Sequence, residues 1–136
     1  MATIIQIANA DANLVYFSKG LKLSGLEEKL NGAGPFTFLA PVNFAFTKID
    51  SLSREDLFLP ANRVKLIDLL SSHILVGKVM LTDLGHNKKL KTIGGQEVMA
   101  SISNGSTHVN GARILAKDRQ AQNGVVHSVD AVYSVS

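Results

Sequence analysis

One stretch, Phe36-Thr37-Phe38-Leu39-Ala40-Pro41-Val42-Asn43-Phe44-Ala45-Phe46, constrains the fold more than any other part of the chain. It reads as an alternating strand over Phe36–Leu39 that runs into Ala40-Pro41, where proline's fixed φ and missing N–H end the ladder. Asn43 is placed to cap a following helix carrying Phe46 and Ile49, because its side-chain oxygen accepts an orphan backbone N–H. Four of the six phenylalanines fall in this window. It therefore predicts a core anchor, with Phe44 inside alongside Phe46. The window holds neither a nucleophile–base pair nor a set of metal ligands.

A second stretch, Asn123-Gly124-Val125-Val126-His127-Ser128-Val129-Asp130-Ala131-Val132-Tyr133, is a turn followed by a long strand, expected over Val125–Val135. Outside these two stretches the chain reads as helical at first and changes character beyond Gly77. Ile4, Ile7 and Ala8 form one helical stripe, and Leu14, Phe17, Ser18 and Leu21 form another. Gly20 and Gly25 punctuate before a third helix at Leu26–Leu30, which Asn31-Gly32 stops. Ser53-x-x-Asp56 reads as a helix start. Val64, Ile67, Leu70 and Ile74 mark an amphipathic helix ending near His73, whose cation would complement the helix dipole. Beyond Gly77, Gly94-Gly95, Asn104-Gly105, Asn110-Gly111 and Asn123-Gly124 are turn signals separating candidate strands at Glu97–Ile102 and Ala112–Leu115. Helices first and strands afterwards predict an α+β domain, one unit over residues 1–136.

Composition narrows the functional classes. The chain has 136 residues, 46% hydrophobic and 18% charged, an ordinary globular balance. No apolar run approaches the roughly 20 residues that span a bilayer. The start, Met1-Ala2-Thr3-Ile4-Ile5, lacks the basic-then-apolar pattern of a signal peptide. With no cysteine, disulfides, thiol catalysis and thiolate zinc sites are excluded together. A net charge of +3 is well short of a nucleic-acid signature.

Ser71, Ser72 and His73 are adjacent, and His127, Ser128 and Asp130 nearly so, but triad members converge from separate segments. There is no Gly-x-Ser-x-Gly turn to expose a nucleophile. The expectation is no enzyme, no cofactor and no metal: His73, His86, His108 and His127 are scattered, and no Asp-x-Asp-x-Asp loop exists. His127 shares the phase of Val125, Val129, Ala131, Tyr133 and Val135, which predicts a core histidine bonded to backbone. The run His86-Asn87-Lys88-Lys89-Leu90-Lys91 reads as a solvated loop. Its alternative role is to bind an acidic polysaccharide or other polyanion through Lys88, Lys89 and Lys91. Asn104-Gly105-Ser106 fits a glycosylation acceptor, but the turn reading is preferred.

The two stretches together resemble the fasciclin I domain family, whose signatures read approximately Phe-Thr-Val-Phe-Ala-Pro-Thr-Asn-x-Ala-Phe and Asn-Gly-Val-Ile-His-Val-Ile-Asp. The residues carrying the resemblance are Thr37, Phe38, Ala40, Pro41, Asn43, Phe46, Asn110, Gly124, His127 and Asp130, and the histidine of the family's Tyr-His motif matches His73. The resemblance implies a compact β-sandwich wedge with helices packed along one side. It also implies an extracellular, periplasmic or surface-exposed adhesion module that binds a cell-surface or matrix protein and does not act as an enzyme. A lone unit of this length reads as an exported bacterial adhesin, monomeric, soluble or anchored. The implied partner contacts are Asp118 and Arg119, at the family's Asp-Ile dipeptide, and Ser72 and His73. Arg119 stands in place of the isoleucine and Ser72 in place of the tyrosine. Both exchanges replace apolar contact with polarity or charge.

Overall fold

The computed structural model describes residues 2–32, 34–49 and 51–133, with Ser51 described in its backbone only. Its helices are α1 (Ile4–Ala10), α2 (Val15–Ser24), α3 (Leu26–Leu30), α4 (Asn43–Thr47), α5 (Ser51–Leu57) and α6 (Arg63–Ser71). Its strands are β1 (Phe36–Pro41), β2 (Ile74–Val76), β3 (Lys88–Lys91), β4 (Glu97–Ser103), β5 (Ser106–Val109), β6 (Ala112–Arg113), β7 (Arg119–Ala121) and β8 (Gly124–Val129). They form a mixed sheet in the order β2-β1-β8-β7 and an antiparallel sheet in the order β3-β4-β5-β6. This is the α+β sandwich with helices on one side.

The layering follows from β1 and β8, parallel neighbours in register from Phe36↔Gly124 to Pro41↔Val129. Both strands are buried on both faces, which is how a central parallel pair differs from an alternating strand. Phe38, Ala40 and Val126 enter a core with Phe17, Leu21 and Leu70 of the helices. Leu39 and Val129 enter a second core with Leu90, Val98, Ala100 and Val109 of the other sheet. The mixed sheet is thus the middle layer of three. In the outer sheet, Asn104-Gly105 and Asn110-Gly111 close tight hairpins with positive φ at both residues, a geometry only such pairs adopt cheaply.

Several expectations need correction. β1 extends two residues past the expected Leu39 and ends at Pro41, where the ladder is expected to stop, with Val42 N–H adding one last bond to Val129 O at 3.1 Å. Gly20 does not punctuate; it lies inside α2, where an added Cβ would sit 3.0 Å from Leu70 Cδ1, so its smallness lets α2 and α6 approach. Helix α5 starts at Ser51, ahead of Ser53. In α6 the inward residues are Leu66 and Leu70; Val64 is exposed, and Ile74 belongs to β2. Strand β8 ends at Val129, short of the expected Val135, and residues 134 and 135 lie outside the described residues. The lysine run is no loop: it is the edge strand β3.

Phe44 and Asn43 also differ from expectation. Phe44 is 69% exposed, with Lys48 Nζ 5.6 Å from its ring centroid. Asn43 does not cap its own helix. Its Oδ1 accepts Tyr16 N–H at 3.2 Å, an orphan donor in the first turn of α2, and its Nδ2 donates to Ala12 O at 2.8 Å. The cap therefore acts across space, on a helix whose own N-cap, Leu14, has no side-chain acceptor. Asn43→Ala is expected to cost about 1–2 kcal/mol by urea denaturation. Amide exchange should quicken first at the start of α2; a loss confined to α4 would contradict this assignment.

Candidate functional site

The segment Gly77–Leu81 leaves β2 and is held by three side chains from distant parts of the chain. Thr37 on β1 donates its hydroxyl to Gly77 O at 2.7 Å, and the same oxygen accepts Val79 N–H at 2.8 Å. His127 on β8 donates from Nε2 to Val79 O at 2.7 Å. Asp118, just before β7, accepts Leu81 N–H on Oδ1 at 2.8 Å. Asp118 is tied in turn to His127, whose Nδ1 accepts the Asp118 N–H at 3.0 Å. An amide cannot accept, so Nδ1 is unprotonated and the neutral ring carries its proton on Nε2. Burial pushes the His127 pKa down against two opposing influences, the Val79 carbonyl and the Asp118 carboxylate 4.0 Å away.

This geometry explains why a threonine and a histidine stand in the two signature stretches. It also fixes Asp118 in the left-handed region at φ 56°, which aspartate tolerates better than most residues. Its side chain remains 32% exposed. A shallow recess of about 180 Å³ beyond Leu81 is lined by Leu81, Ile114 and Leu115 together with Gly105, Ser106, Thr107, Arg113 and Lys117, with Leu115 half exposed. Sequence reasoning missed Leu81 as a neighbour of Asp118, and Leu115 as part of the recess that Leu81 lines. The apolar run Val79-Met80-Leu81 was the available signal, but only the His127 and Asp118 bonds place it there.

Arg119 is directed elsewhere. Its guanidinium pairs with Asp11 at 2.6 Å, on the turn between α1 and α2. Burial alone would raise the Asp11 pKa, but the Asn13 N–H and Arg119 hold the carboxyl below its ordinary value. Asp118 and Arg119 therefore do not form one joint contact surface.

Ser72 and His73 are the clearest correction. They are 2% and 0% exposed, so neither side chain is presented to a partner. His73 Nδ1 donates to Leu69 O at 2.8 Å and Nε2 accepts Tyr133 N–H at 3.2 Å, the tautomer opposite to that of His127. Its ring stacks on Tyr133 at 4.0 Å, and Tyr133 Oη donates to Ser72 O at 2.7 Å. Burial drives the His73 pKa down to about 4 and the Tyr133 pKa up. His73 is thus neutral and does not complement a helix dipole as a cation. The pair acts as a clasp between the end of α6 and the chain after β8.

The other motif residues are also engaged internally. Asn123 joins α1, α3 and β8: its Oδ1 accepts Ile4 N–H at 2.9 Å, and its Nδ2 donates to Leu30 O and Gly32 O at 3.0 Å each. Asn110 Oδ1 accepts Met99 N–H, and Asp130 Oδ1 accepts Arg113 N–H, both at 2.9 Å. Ser128 Oγ accepts Ala116 N–H at 2.9 Å, and His127 is bonded at both nitrogens, so these side chains assemble no nucleophile–base pair. Among the described residues no three histidine, aspartate or glutamate side chains converge as metal ligands. Lys88 Nζ donates to Asp83 O at 2.7 Å, and Lys91 stands opposite Glu97 on β4. Lys88 is thus held against the backbone and Lys91 has a glutamate across the ladder, and their place on an edge strand is where lysine discourages strand addition.

The sequence profile of the Fasciclin domain matches residues 12–134. Protein sll1483 of Synechocystis sp. is 31% identical over 130 residues, covering 96% of this chain and 72% of that protein. Transforming growth factor-beta-induced protein ig-h3 of Sus scrofa is 28% identical over 97% of this chain, and human periostin 34% identical over 80%. The chain spans only 19% and 13% of those two proteins. The FAS1 domain pair of the insect cell adhesion molecule Fasciclin I superposes with a TM-score of 0.85 at 17% identity, over 96% of this chain and 50% of that one. The chain belongs to the Fasciclin domain family. Domains of this family are of the adhesion type, associated with cell adhesion and extracellular interactions. No helix among the described residues is long and apolar enough to cross a membrane.

Proposed function

We propose that this domain is a non-enzymatic, extracellular interaction module that binds a cell-surface or matrix protein at the Asp118 recess. The observation supporting this is a part-exposed, position-locked carboxylate whose bonded neighbour Leu81 also lines a recess with the half-exposed Leu115. Residue 119 supplies no apolar neighbour to the carboxylate, but Leu81 does. A partner cation would meet the carboxylate, and a partner apolar side chain the recess.

The test is a binding array of matrix and cell-surface proteins, with acidic glycans beside them, at low and physiological salt. Asp118→Asn is the informative variant, because asparagine keeps the acceptor for Leu81 N–H and tolerates the left-handed backbone while removing the charge. It should unfold at the parent's temperature yet lose about tenfold or more in affinity for a protein hit. Leu115→Ser should weaken the same hit. If both variants bind as the parent does, the recess is not the site. A glycan hit lost with salt and with Lys88/Lys89/Lys91→Ala would transfer the function to β3.

A further inference from the structure

Two grooves flank the exposed side of α2. One, of about 370 Å³, lies against α1 and takes in Ala8, Asn9 and Asp11. The other, of about 530 Å³, lies against α5 and is floored by Tyr16, Phe58 and Leu59. Lys19 and Leu23 line both grooves. The ridge between them is Val15, Lys19, Lys22 and Leu23, spaced i, i+4, i+7 and i+8, which is one helical stripe. The opposite stripe, Phe17, Leu21 and Ser24, is buried, so this face of α2 is left without a partner.

The chemistry of the face is mixed in a specific way. Val15, Leu23 and Leu59 remain 56%, 45% and 50% exposed. Tyr16 and Phe58 stack with centroids 6.2 Å apart, Lys19 Nζ lies 5.3 Å from the Phe58 centroid, and the Arg54 guanidinium 5.7 Å from that of Tyr16. Among the described residues neither cation has a carboxylate within ion-pair distance. Asp11 is already neutralised by Arg119, and the Arg54 guanidinium donates to the Phe46 and Ile49 carbonyls at 3.3 Å each, which leaves Lys19 and Lys22 as the outward cations of the face and Glu55 as its acid.

We propose that this face seats an acidic amphipathic helix of a partner protein. Its apolar stripe would lie along the Leu23 ridge and fill the flanking grooves, and its carboxylates would reach Lys19 and Lys22. A ridge with a groove on either side is the relief that helices use to pack, at axis separations of about 8–10 Å. From Val15 to Leu23 the ridge runs about 12 Å, two turns of a docked helix. The sign of the unpaired charge selects an acidic helix over a basic one. The surface shares no side chain with the Asp118 recess and stands independently of it.

The probe is a synthetic helix with leucine at i, i+3, i+4 and i+7 and glutamate on its other face, titrated into the isotopically labelled domain by NMR. Shifts are expected at Val15, Lys19, Leu23, Phe58 and Leu59, with an affinity that falls with salt but persists. Leu23→Asp/Leu59→Asp and Lys19→Glu/Lys22→Glu, both at exposed positions, should each weaken binding about tenfold or more while unfolding near the parent temperature. Asp118→Asn should bind the probe unchanged. The same peptide with lysine for glutamate should not bind. The proposal is overturned by absence of shifts at millimolar peptide, by equal binding of the lysine peptide, or by loss of binding in Asp118→Asn. It is equally overturned if the face binds phosphatidylglycerol vesicles and not the peptide, which would make it a lipid-contacting surface.

Discussion

Gly124→Ala is expected to lower the stability of the domain by about 4 kcal/mol or more, enough to unfold much of the population. A Cβ at this position would lie 1.9 Å from the Phe36 carbonyl oxygen and 2.9 Å from its carbonyl carbon. The approach is close because Gly124 opposes Phe36 at the first rung of the parallel β1–β8 ladder. Its neighbour Asn123 accepts Phe36 N–H on its backbone oxygen at 3.0 Å, which holds the rung shut. The clash is with main chain, so no rotamer change relieves it. Relief requires β1 and β8 to part, and both cores are built on that pair. Gly105→Ala is the control: nothing lies within 4 Å of its Cβ, so only left-handed strain of about 1–2 kcal/mol is added. Urea denaturation of the two variants distinguishes the effects. A Gly124→Ala domain within about 1 kcal/mol of Gly105→Ala would show that the ladder yields at its first rung.

The same pair of strands shows how much was legible beforehand. Phe36–Pro41 and the stretch after Asn123 are recognisable from local signals, an apolar run closed by Pro41 and another opened by the Asn123-Gly124 turn, although the alternation expected of β1 is absent because both of its faces are buried. Turns such as Asn110-Gly111 are legible for the same reason, since their conformational demand falls on the two residues themselves. The errors arose where a neighbour distant in sequence decides the outcome. Asn43 looked like a cap and is one, but for α2, because only the fold brings Tyr16 N–H within its reach. Ile74 continued a helical stripe and became strand once β1 offered it a ladder, Phe38↔Ile74. Within the candidate site, Asp118 was located by its position before the second signature. Its anchoring to Leu81 and the burial of Ser72 and His73 depend on bonds spanning 37 to 61 residues. No periodicity carries such information.

Those long-range bonds are expected to make the domain less stable in acid, and the sign follows from the tautomers. His73 and His127 are each neutral in the fold because one ring nitrogen accepts from a backbone N–H, of Tyr133 and Asp118 respectively. A proton added there would face a donor. The unfolded chain protonates histidine at about 6.5, whereas folded His73 resists down to about 4. Below 6.5 the unfolded state therefore binds the extra proton, and stability falls as pH drops towards 4; above 6.5 the contribution is complete. From His73 alone the loss is about 3 kcal/mol, since each tenfold difference in proton affinity between the two states is worth about 1.4 kcal/mol. His127 adds to it in the same direction, because its pKa is also lowered. Denaturant titrations between pH 7 and pH 4 should show this slope. His73→Phe keeps the stack on Tyr133 but removes the titrating group, so it should be weaker at pH 7 and have a flatter slope below it. Equal slopes in parent and variant would mean that His73 protonates freely in the folded domain. The slope, unlike the absolute stability, is insensitive to the bonds that phenylalanine cannot make. It therefore reports the buried neutral histidine itself.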